Sequence, residues 1–563
     1  MKKIVLILII VLVSKNSFSQ TYVGGTINSS TTWAATGNPY IIQNELIIAS
    51  GVTLSIKPGV VLKFMGTFGI TVNGTLKAIG NSDSMILFRD DNFIQSYWGS
   101  ILFNDGAQDY NPVSQSGCML QYCNLQLAGD DSSVPFLNSE SAVFLSGCSP
   151  SIDNCIFYEC LDGCILEQGA ELTSPVQISN NKFINDFSSV NGVLWLNSPN
   201  TTVSCNLFYQ CDGNPMLSLY GTGSFTKNII VHCSNSGATF LNPQLDSCTK
   251  NTIVDNSLGC GQVIWAKNYF GFNTITRNDL GGCTSIVVNS DSTTKIMNNN
   301  LYNNTGGFSG WNFYEVNNAV VRQWYYTPAT SGMNNWFDKT TTNSIDSIIF
   351  DYNDDTALTH FSYQPFLASP DTTAPETPPT GVVKSDVGGG NIQITWNPNP
   401  DADLAGYKVY WGTFNGYSFT NSVDVGNVTT YILSGANIGD SIGVTAYDHE
   451  ASNINDQCEC HESWFTPAQM VTAVADPKQD RLFNFFPNPA NEMVIIKYNL
   501  PVATPDAILE IRNLKGSEVK WVRLAGGEAE VTIPVSDLQN GIYTIQLTAG
   551  GRTSTPQKIA IVR

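Results

Sequence analysis

One short pattern decides the fold of this chain: NLFYQC (206–211), NIIVHC (228–233) and NTIVDN (251–256). Each segment begins with Asn, has a large apolar residue two positions later, and has a small or polar residue three positions after that. The pattern recurs at intervals of 22 to 26 residues between residues 154 and 301. A unit of this size cannot bury its own apolar face, so successive units must stack on one another. The sequence therefore predicts a solenoid with one coil per repeat.

Stacking places equivalent side chains above one another, so polar residues at fixed positions should form inward ladders. An inward Asn can bond the equivalent Asn of the next coil and also satisfy backbone groups of the turn. The first predicted ladder consists of Asn181, Asn206, Asn228, Asn251, Asn273 and Asn299. A second column lies three positions after each apolar residue and contains Cys160, Asp186, Cys211, Cys233, Asn256, Asn278 and Asn304.

The N-x-I-x-x-N spacing at these residues resembles the right-handed parallel β-helix family. GVTLSIKPGVVLKF (51–64) and NNWF (334–337) look like the beginning and end that are typical of extracellular bacterial members. The resemblance implies an all-β chain with a β-helix domain at 20–370. It does not imply one activity, because this scaffold carries lyases, hydrolases, adhesins and surface proteins of unknown role.

Two changes of composition follow the repeats. DTTAPETPPT (371–380) is rich in Pro and Thr and predicts an extended linker. The next region, 381–472, has alternating strands with Trp396 and Tyr407 as core aromatic residues, and it resembles a fibronectin type III sandwich. The sequence differs from that family at Ile442, where the family usually has a Tyr whose hydroxyl bonds to the backbone at a corner of the sandwich. A second linker is expected at 473–483.

The C-terminal region, 484–563, is expected to be another β-sandwich. Its distinctive residues are Pro487, Asn488, Pro489, Gly541, Tyr543 and Lys558. These residues resemble the motifs of the type A sorting domain of type IX secretion, known from Bacteroidota. The resemblance implies passage through the periplasm, handling by the type IX machinery at the outer membrane, and cleavage of this domain on release or surface attachment.

The N-terminus and the overall charge agree with export. Lys2 and Lys3 precede an apolar run at 4–13, which is shorter than the roughly 20 residues that span a bilayer, so 1–19 is predicted to be a signal peptide. No transmembrane segment is expected in the mature chain. With a net charge of -20 and no cluster of Lys and Arg, the chain is not expected to bind nucleic acid. The predicted location is secreted or attached to the outer-membrane surface.

The chain contains 14 cysteines, and an exported protein meets an oxidising compartment. In the aligned coils Cys123 falls beside Cys155 and Cys211 beside Cys233, close enough for bridges. Buried free thiols are nevertheless the main expectation, because Cys packs as a small apolar residue.

A separate group of possible ligands lies in DQCECHESWF (456–465). Zinc is conceivable there, since Cys458, Cys460 and His461 are close in sequence. Because Cys-x-Cys-His lacks the two-residue spacer of structural zinc sites, a local disulfide or exposed thiols are expected instead. No metal site is predicted, although calcium is possible on the acidic surface.

An outward polar column suggests where a ligand could bind. It runs two positions after each apolar anchor, and it places His232, Asp255 and Arg277 on successive coils. A carboxylate between an imidazole and a guanidinium could hold sugar hydroxyls or act in acid/base catalysis. Unlike charges on a solvated sheet face explain the same residues without a ligand.

No catalytic residue is predicted, so binding is the favoured function. The hypothesis is a secreted or surface protein that presents its β-helix face to glycans or other surface ligands, as in adhesion. A polysaccharide lyase or glycoside hydrolase on the same face is the alternative, and a structural envelope component is the third possibility. A lyase would need a Lys or Arg base beside grouped carboxylates, and a hydrolase would need converging carboxylates. Neither arrangement is evident in the sequence.

Overall fold

The structure is a computed structural model, and it describes most of the chain after residue 19. The predicted signal peptide and all but the last residue of the second linker lie outside the described residues. The described range is 20–562 without the following segments: 92–96, 131–140, 189–191, 214–215, 236–238, 259–261, 280–286, 290–293, 305–320, 323–329, 354–355, 357–359, 453–456, 471–482, 501–506, 514–516, 526, 550–551 and 555–556.

The N-terminal part is a parallel β-helix whose coils contribute strands to three faces. All strand pairs between coils are parallel, which confirms the predicted fold class. We call the faces the first, second and third sheets, in the order in which each coil visits them. The first sheet has 13 strands: Thr31–Trp33, Thr53–Ile56, Thr75–Ile79, Met119–Gln121, Ser151–Asp153, Gln177–Ser179, Thr201–Ser204, Gly223–Thr226, Ser247–Thr249, Tyr269–Gly271, Lys295–Met297, Thr330–Ser331 and Phe361–Ser362.

The second and third sheets begin together, because Thr21–Ile27 and Tyr40–Ile48 pair along both. The second sheet continues with Val61–Phe64, Ile86–Asp90, Cys123–Gln126, Ile156–Tyr158, Lys182–Ile184, Leu207–Tyr209, Ile229–Val231, Thr252–Val254, Thr274–Thr276 and Asn300–Tyr302. The third continues with Ile70–Val72, Ile101–Asn104, Val143–Ser146, Ile165–Glu167, Leu194–Leu196, Leu217–Tyr220, Thr239–Gln244, Gln262–Ala266, Val287–Asn289, Val321–Arg322 and Ile349–Phe350. Four two-residue strands form a small sheet, and the helical segments are short: Phe187–Ser188, Asp212–Gly213, Ser234–Asn235, Ser257–Leu258, the 3-10 helix Ala35–Gly37 and the α-helix Thr342–Asp346.

The apolar anchors form one interior file. Phe157, Phe183, Phe208 and Ile230 occupy equivalent positions of successive strands and are fully buried. The Phe157 and Phe183 rings stack with their centroids 4.9 Å apart, and Phe183 and Phe208 stack at 4.8 Å. Burial of such aromatic pairs is a main source of coil-to-coil stability.

The Asn residues of the first ladder bond along the axis of the β-helix. Asn228 Nδ2 donates to Asn251 Oδ1 at 3.1 Å and to the carbonyl of Val203 at 3.0 Å. Its Oδ1 accepts from the backbone N–H and the side chain of Asn206, both at 3.0 Å. The same bonds repeat from Asn181 to Asn299, where Asn335 continues the ladder. These side chains therefore satisfy polar groups that would otherwise be buried without partners.

Cysteines can replace Asn in the second ladder because a thiol can donate to the equivalent backbone carbonyl of the preceding coil. Asn256 Nδ2 donates to Ile230 O at 3.0 Å, and Cys233 Sγ donates to Phe208 O at 3.4 Å one coil earlier. Cys211 Sγ likewise donates to Phe183 O at 3.3 Å. Ten described cysteines are buried free thiols, and Cys205 and Cys458 form a disulfide; Cys260 and Cys283 lie outside the described residues.

A sandwich of two antiparallel sheets follows the β-helix, and we call it the second domain. Trp396 and Tyr407 lie in its core, as expected, and Ile442 is buried there too. One sheet contains Val383–Gly388, Asn391–Thr395, Thr430–Ser434 and Gln469–Met470; the other contains Leu404–Phe414, Phe419–Gly426, Ser441–Asp448 and Thr466–Pro467. Residues up to Gln469 form one compact unit that includes the β-helix, and Met470–Arg563 form another.

The C-terminal unit is also a β-sandwich with its own apolar core. Its strands are Phe483–Phe486, Met493–Leu500 and Gly527–Pro534 in one sheet, and Ala507–Asn513, Glu518–Leu524, Gly541–Ala549, Arg552–Thr553 and Gln557–Ile561 in the other. Within the described part of the chain, no helix is long and apolar enough to cross a membrane.

Candidate functional site

The predicted ligand column forms the bends that end the strands of the second sheet. His232, Asp255 and Arg277 have φ values of 54°, 56° and 57°, in the left-handed region. Polar residues are common there because Asn and Asp tolerate this conformation best. The polar character of the column therefore has a conformational reason that is independent of any ligand.

The three candidate residues do not share one open site. His232 is exposed, and its ring lies edge-on to Tyr209 with the centroids 5.6 Å apart. Asp255 and Arg277 form a bidentate ion pair at 2.8 and 2.6 Å. The outward side chain of Arg277 is not open to solvent, because its Nη1 also donates to Thr466 Oγ1 of the second domain.

The second domain covers the outer face of the second sheet. The strands there are apolar on both faces, so their outward side chains need a partner surface. A single cluster joins them to aromatic residues of the second domain: Leu207, Ile229, Val231, Val254, Tyr410, Trp464 and Phe465. Val231 and Val254 are completely shielded from solvent. In these coils the outer face of the β-helix, where an external ligand was predicted to bind, is therefore covered by the second domain of the same chain.

A disulfide and polar contacts fix this interface at one edge. Cys205 of the β-helix is bonded to Cys458 of the second domain, 253 residues away in sequence, with the Cα atoms 5.2 Å apart. Lys227 Nζ pairs with Glu459 Oε2 at 2.6 Å. The expectation of a local disulfide or exposed thiols at 456–465 is therefore wrong, and Cys460 is a buried free thiol.

The segment 371–380 is extended, but it is not a free linker. Residues 374–379 are all buried between the β-helix and the second domain. Asp371 N donates to Asn300 Oδ1 at 2.8 Å, and Thr274 Oγ1 donates to Pro375 O at 2.5 Å. The segment is therefore part of the interface, which composition alone could not reveal.

A groove of about 410 Å³ opens beside the disulfide, between the β-helix and the second domain. Tyr417 lines the groove from a turn of the second domain. In this turn Asn415 Oδ1 accepts from the N–H groups of Tyr417 and Ser418 at 3.1 and 2.8 Å. The Tyr417 ring lies 4.8 Å from Lys182 Nζ, across the domain boundary. This volume falls within the roughly 300–1,000 Å³ of typical small-molecule pockets.

The lining of the groove combines aromatic, amide and cationic groups. Asn154 and Asn180 lie on the β-helix side, and burial lowers the pKa of Lys182. Gln457 is 7% exposed, and its Nε2 is a buried donor without a hydrogen-bond partner in the described part of the chain. Such a donor is costly unless an acceptor reaches it.

The sorting-motif residues come together in the C-terminal unit. Asn488 Nδ2 donates to Lys558 O at 3.0 Å, and Asn488 Oδ1 accepts from Ala560 N at 2.9 Å. Tyr543 Oη donates to Gln539 O at 2.9 Å, which pins the start of its strand. Pro487 and Pro489 flank Asn488 at the surface. Gly541 follows the turn at 536–540 and begins the strand that contains Tyr543.

Comparison with known proteins identifies the C-terminal unit. Residues 484–562 match the family described as the secretion system C-terminal sorting domain. Protein bark beetle of Drosophila melanogaster is 30% identical over 84 residues, which are 15% of this chain and 3% of that protein. The chain thus spans only a small part of that relative.

Solved structures give weaker matches. The FN1–FN3 domains of chicken CNTN1 are 12% identical, with 34% of this chain and 65% of that chain covered and a TM-score of 0.14. Dimeric latent PorU from Porphyromonas gingivalis is 14% identical, with 36% and 22% covered and a TM-score of 0.14. The match at residues 484–562 indicates a secreted or surface-attached protein that carries a type IX sorting domain.

Proposed function

We propose that this protein binds a neutral glycan in the groove between the β-helix and the second domain, as a secreted or surface-displayed adhesion protein. The observation that carries the proposal is the groove lining, which combines the Tyr417 ring with the side-chain amides of Asn154, Asn180 and Gln457. Sugar rings present apolar C–H faces and rims of hydroxyls, so aromatic rings and amides are suitable partners.

Charge favours a neutral ligand. Lys182 is the charged residue among those that line the groove, and it already lies over the Tyr417 ring. The chain as a whole carries a net charge of -20, which opposes the approach of uronic acid polymers. Neutral oligosaccharides are not repelled by this net charge, and they do not need Lys182 as a partner.

A panel of neutral and acidic oligosaccharides tests the proposal by isothermal titration with the full secreted chain. We expect Tyr417→Ala and Gln457→Leu each to weaken binding at least about tenfold, which corresponds to about 1.4 kcal/mol. Tyr22→Ala is the matched control, because Tyr22 is 57% exposed on the first strand of the β-helix and should leave affinity unchanged.

Three results would contradict the glycan-binding proposal. Release of reducing ends or unsaturated products would favour the enzymatic alternative. The absence of binding to any glycan would favour a structural envelope role. Equal affinity in the Tyr417→Ala and wild-type proteins would place the ligand elsewhere.

Export is tested separately. Deletion of 484–563 removes the matched sorting domain and should trap the protein in the periplasm. We also propose that the sorting domain is cleaved during export, so the mature surface form should lack residues of the C-terminal unit by mass spectrometry. Normal surface display of the truncated chain would contradict handling by type IX secretion.

A further inference from the structure

Four carboxylates meet where the segment 371–380 enters the second domain. Glu376 comes from the segment, Asp401 and Asp403 come from the loop before Leu404–Phe414, and Asp448 ends the strand Ser441–Asp448. Carboxylate oxygens of Glu376, Asp403 and Asp448 all lie within 4.8 Å of one another. Glu376 is only 2% exposed, and Asp401 and Asp448 are each 7% exposed.

Some of these oxygens already have partners. Asp448 Oδ2 faces His461 Nδ1 at 2.7 Å, and Asp448 Oδ1 accepts from the N–H of Glu450 at 2.7 Å. Asp401 Oδ2 accepts from Thr377 Oγ1 and from Asn399 Nδ2.

Other oxygens of the cluster have no partner. Glu376 Oε2, Asp403 Oδ1 and the amide oxygen of Asn399 are buried without a hydrogen bond in the described residues. Desolvation and the neighbouring carboxylates raise the pKa of Glu376 to about 10. Buried carboxylates this close are unfavourable unless a positive charge or protons compensate them.

We propose that Glu376, Asp403 and Asp448 bind a calcium ion at this junction, with Asp401 beside them. Calcium takes six to eight oxygen ligands in flexible geometry and prefers carboxylates, amide oxygens and water. The cluster offers carboxylate oxygens, and the Asn399 side chain lies beside it, since Asn399 Nδ2 donates to Asp401 Oδ2 at 2.8 Å. Zinc would instead favour nitrogen and sulfur ligands.

The ion would fasten the second domain to the β-helix. Asp371 and Pro375 of the same segment are hydrogen-bonded to Asn300 and Thr274 of the β-helix. A metal at Glu376 joins that anchored segment to the loop and strand of the second domain. This inference does not depend on any ligand in the groove.

Calcium chloride titrated into the chelator-treated full chain tests the inference, with calorimetry and thermal unfolding as readouts. We expect one ion per chain with a dissociation constant of roughly 10⁻⁴ M, as in extracellular modules. At about 10 mM calcium the unfolding temperature should rise by about 4 °C. Glu376→Gln and Asp403→Asn should each abolish this rise.

Asp424→Asn is the control, because Asp424 is an exposed carboxylate of the same domain that is bonded to Tyr447. It should keep the full calcium response. No heat and no thermal shift in the wild-type chain would overturn the proposal. Persistence of the shift in Glu376→Gln and Asp403→Asn, or an equal shift with magnesium, would overturn it as well.

Discussion

Arg277 binds Asp255 on the preceding coil and reaches the second domain at the same time. Its Nε and Nη2 donate to the two oxygens of Asp255 at 2.8 and 2.6 Å, and its Nη1 contacts Thr466 Oγ1. Nη2 also donates to Phe465 O at 3.4 Å. A surface ion pair of the β-helix is thereby converted into part of a domain interface, where partial burial strengthens it.

Arg277→Met should therefore destabilise the chain by about 2 kcal/mol, since Asp255 is left without its partner at a partly buried position. The urea midpoint of the first unfolding transition measures this loss. Lys63→Met is the matched control, because the Lys63–Asp91 pair has comparable side-chain exposure, 20% and 26% against 15% and 21%. Its loss should cost at most about 1 kcal/mol. Equal losses would show that the contacts of Arg277 with the second domain contribute nothing.

Asn228→Ala interrupts the inward ladder at its centre. The substitution removes bonds to Val203 O and Asn251 Oδ1 and leaves the N–H of Asn206 without its acceptor. We expect a loss of about 3 kcal/mol in the free energy of unfolding, since buried groups are left unsatisfied.

Asn197→Ala serves as the comparison for the ladder, because Asn197 is exposed on the same β-helix. It should change stability by no more than about 0.5 kcal/mol. If both variants unfolded at the same denaturant concentration, the ladder would have no energetic role.

Ile229→Asp tests whether the second domain covers the β-helix in solution. Ile229 points outward from the second sheet, yet it is only 7% exposed because the aromatic cluster covers it. A carboxylate there would be buried without a partner, and we expect a cost of at least about 3 kcal/mol.

Val113→Asp is the reference substitution for the covered face, since Val113 is 95% exposed. It should be neutral within about 0.5 kcal/mol. Tolerance of Ile229→Asp to the same degree would mean that the outer face of the second sheet is open to water.

The coil architecture could be predicted because each repeat carries its own signal. The anchor Phe208, the ladder residue Asn206 and the inward Cys211 all follow from stacking identical turns. The order of domains could be predicted for the same reason, since local composition and short motifs mark the boundaries.

Docking of the second domain could not be predicted from repeat periodicity, which reports only the inward face. One signal was present in NIIVHC (228–233) and NTIVDN (251–256), where Val231 and Val254 are apolar at positions that solvated strands make polar. The disulfide had a similar signal: Cys205 lies in the bend column before the second sheet, with φ of 55°, rather than in an inward column. Its partner lies 253 residues away, so spacing alone gave no pairing.

Non-reducing peptide mapping of the secreted protein tests most directly whether the β-helix and the second domain form one compact unit. After alkylation and digestion, we predict one linked pair, the peptides of Cys205 and Cys458, with the ten other described cysteines alkylated as free thiols. Recovery of Cys205 and Cys458 as free thiols, or of Cys458 joined to Cys460, would contradict the docked arrangement.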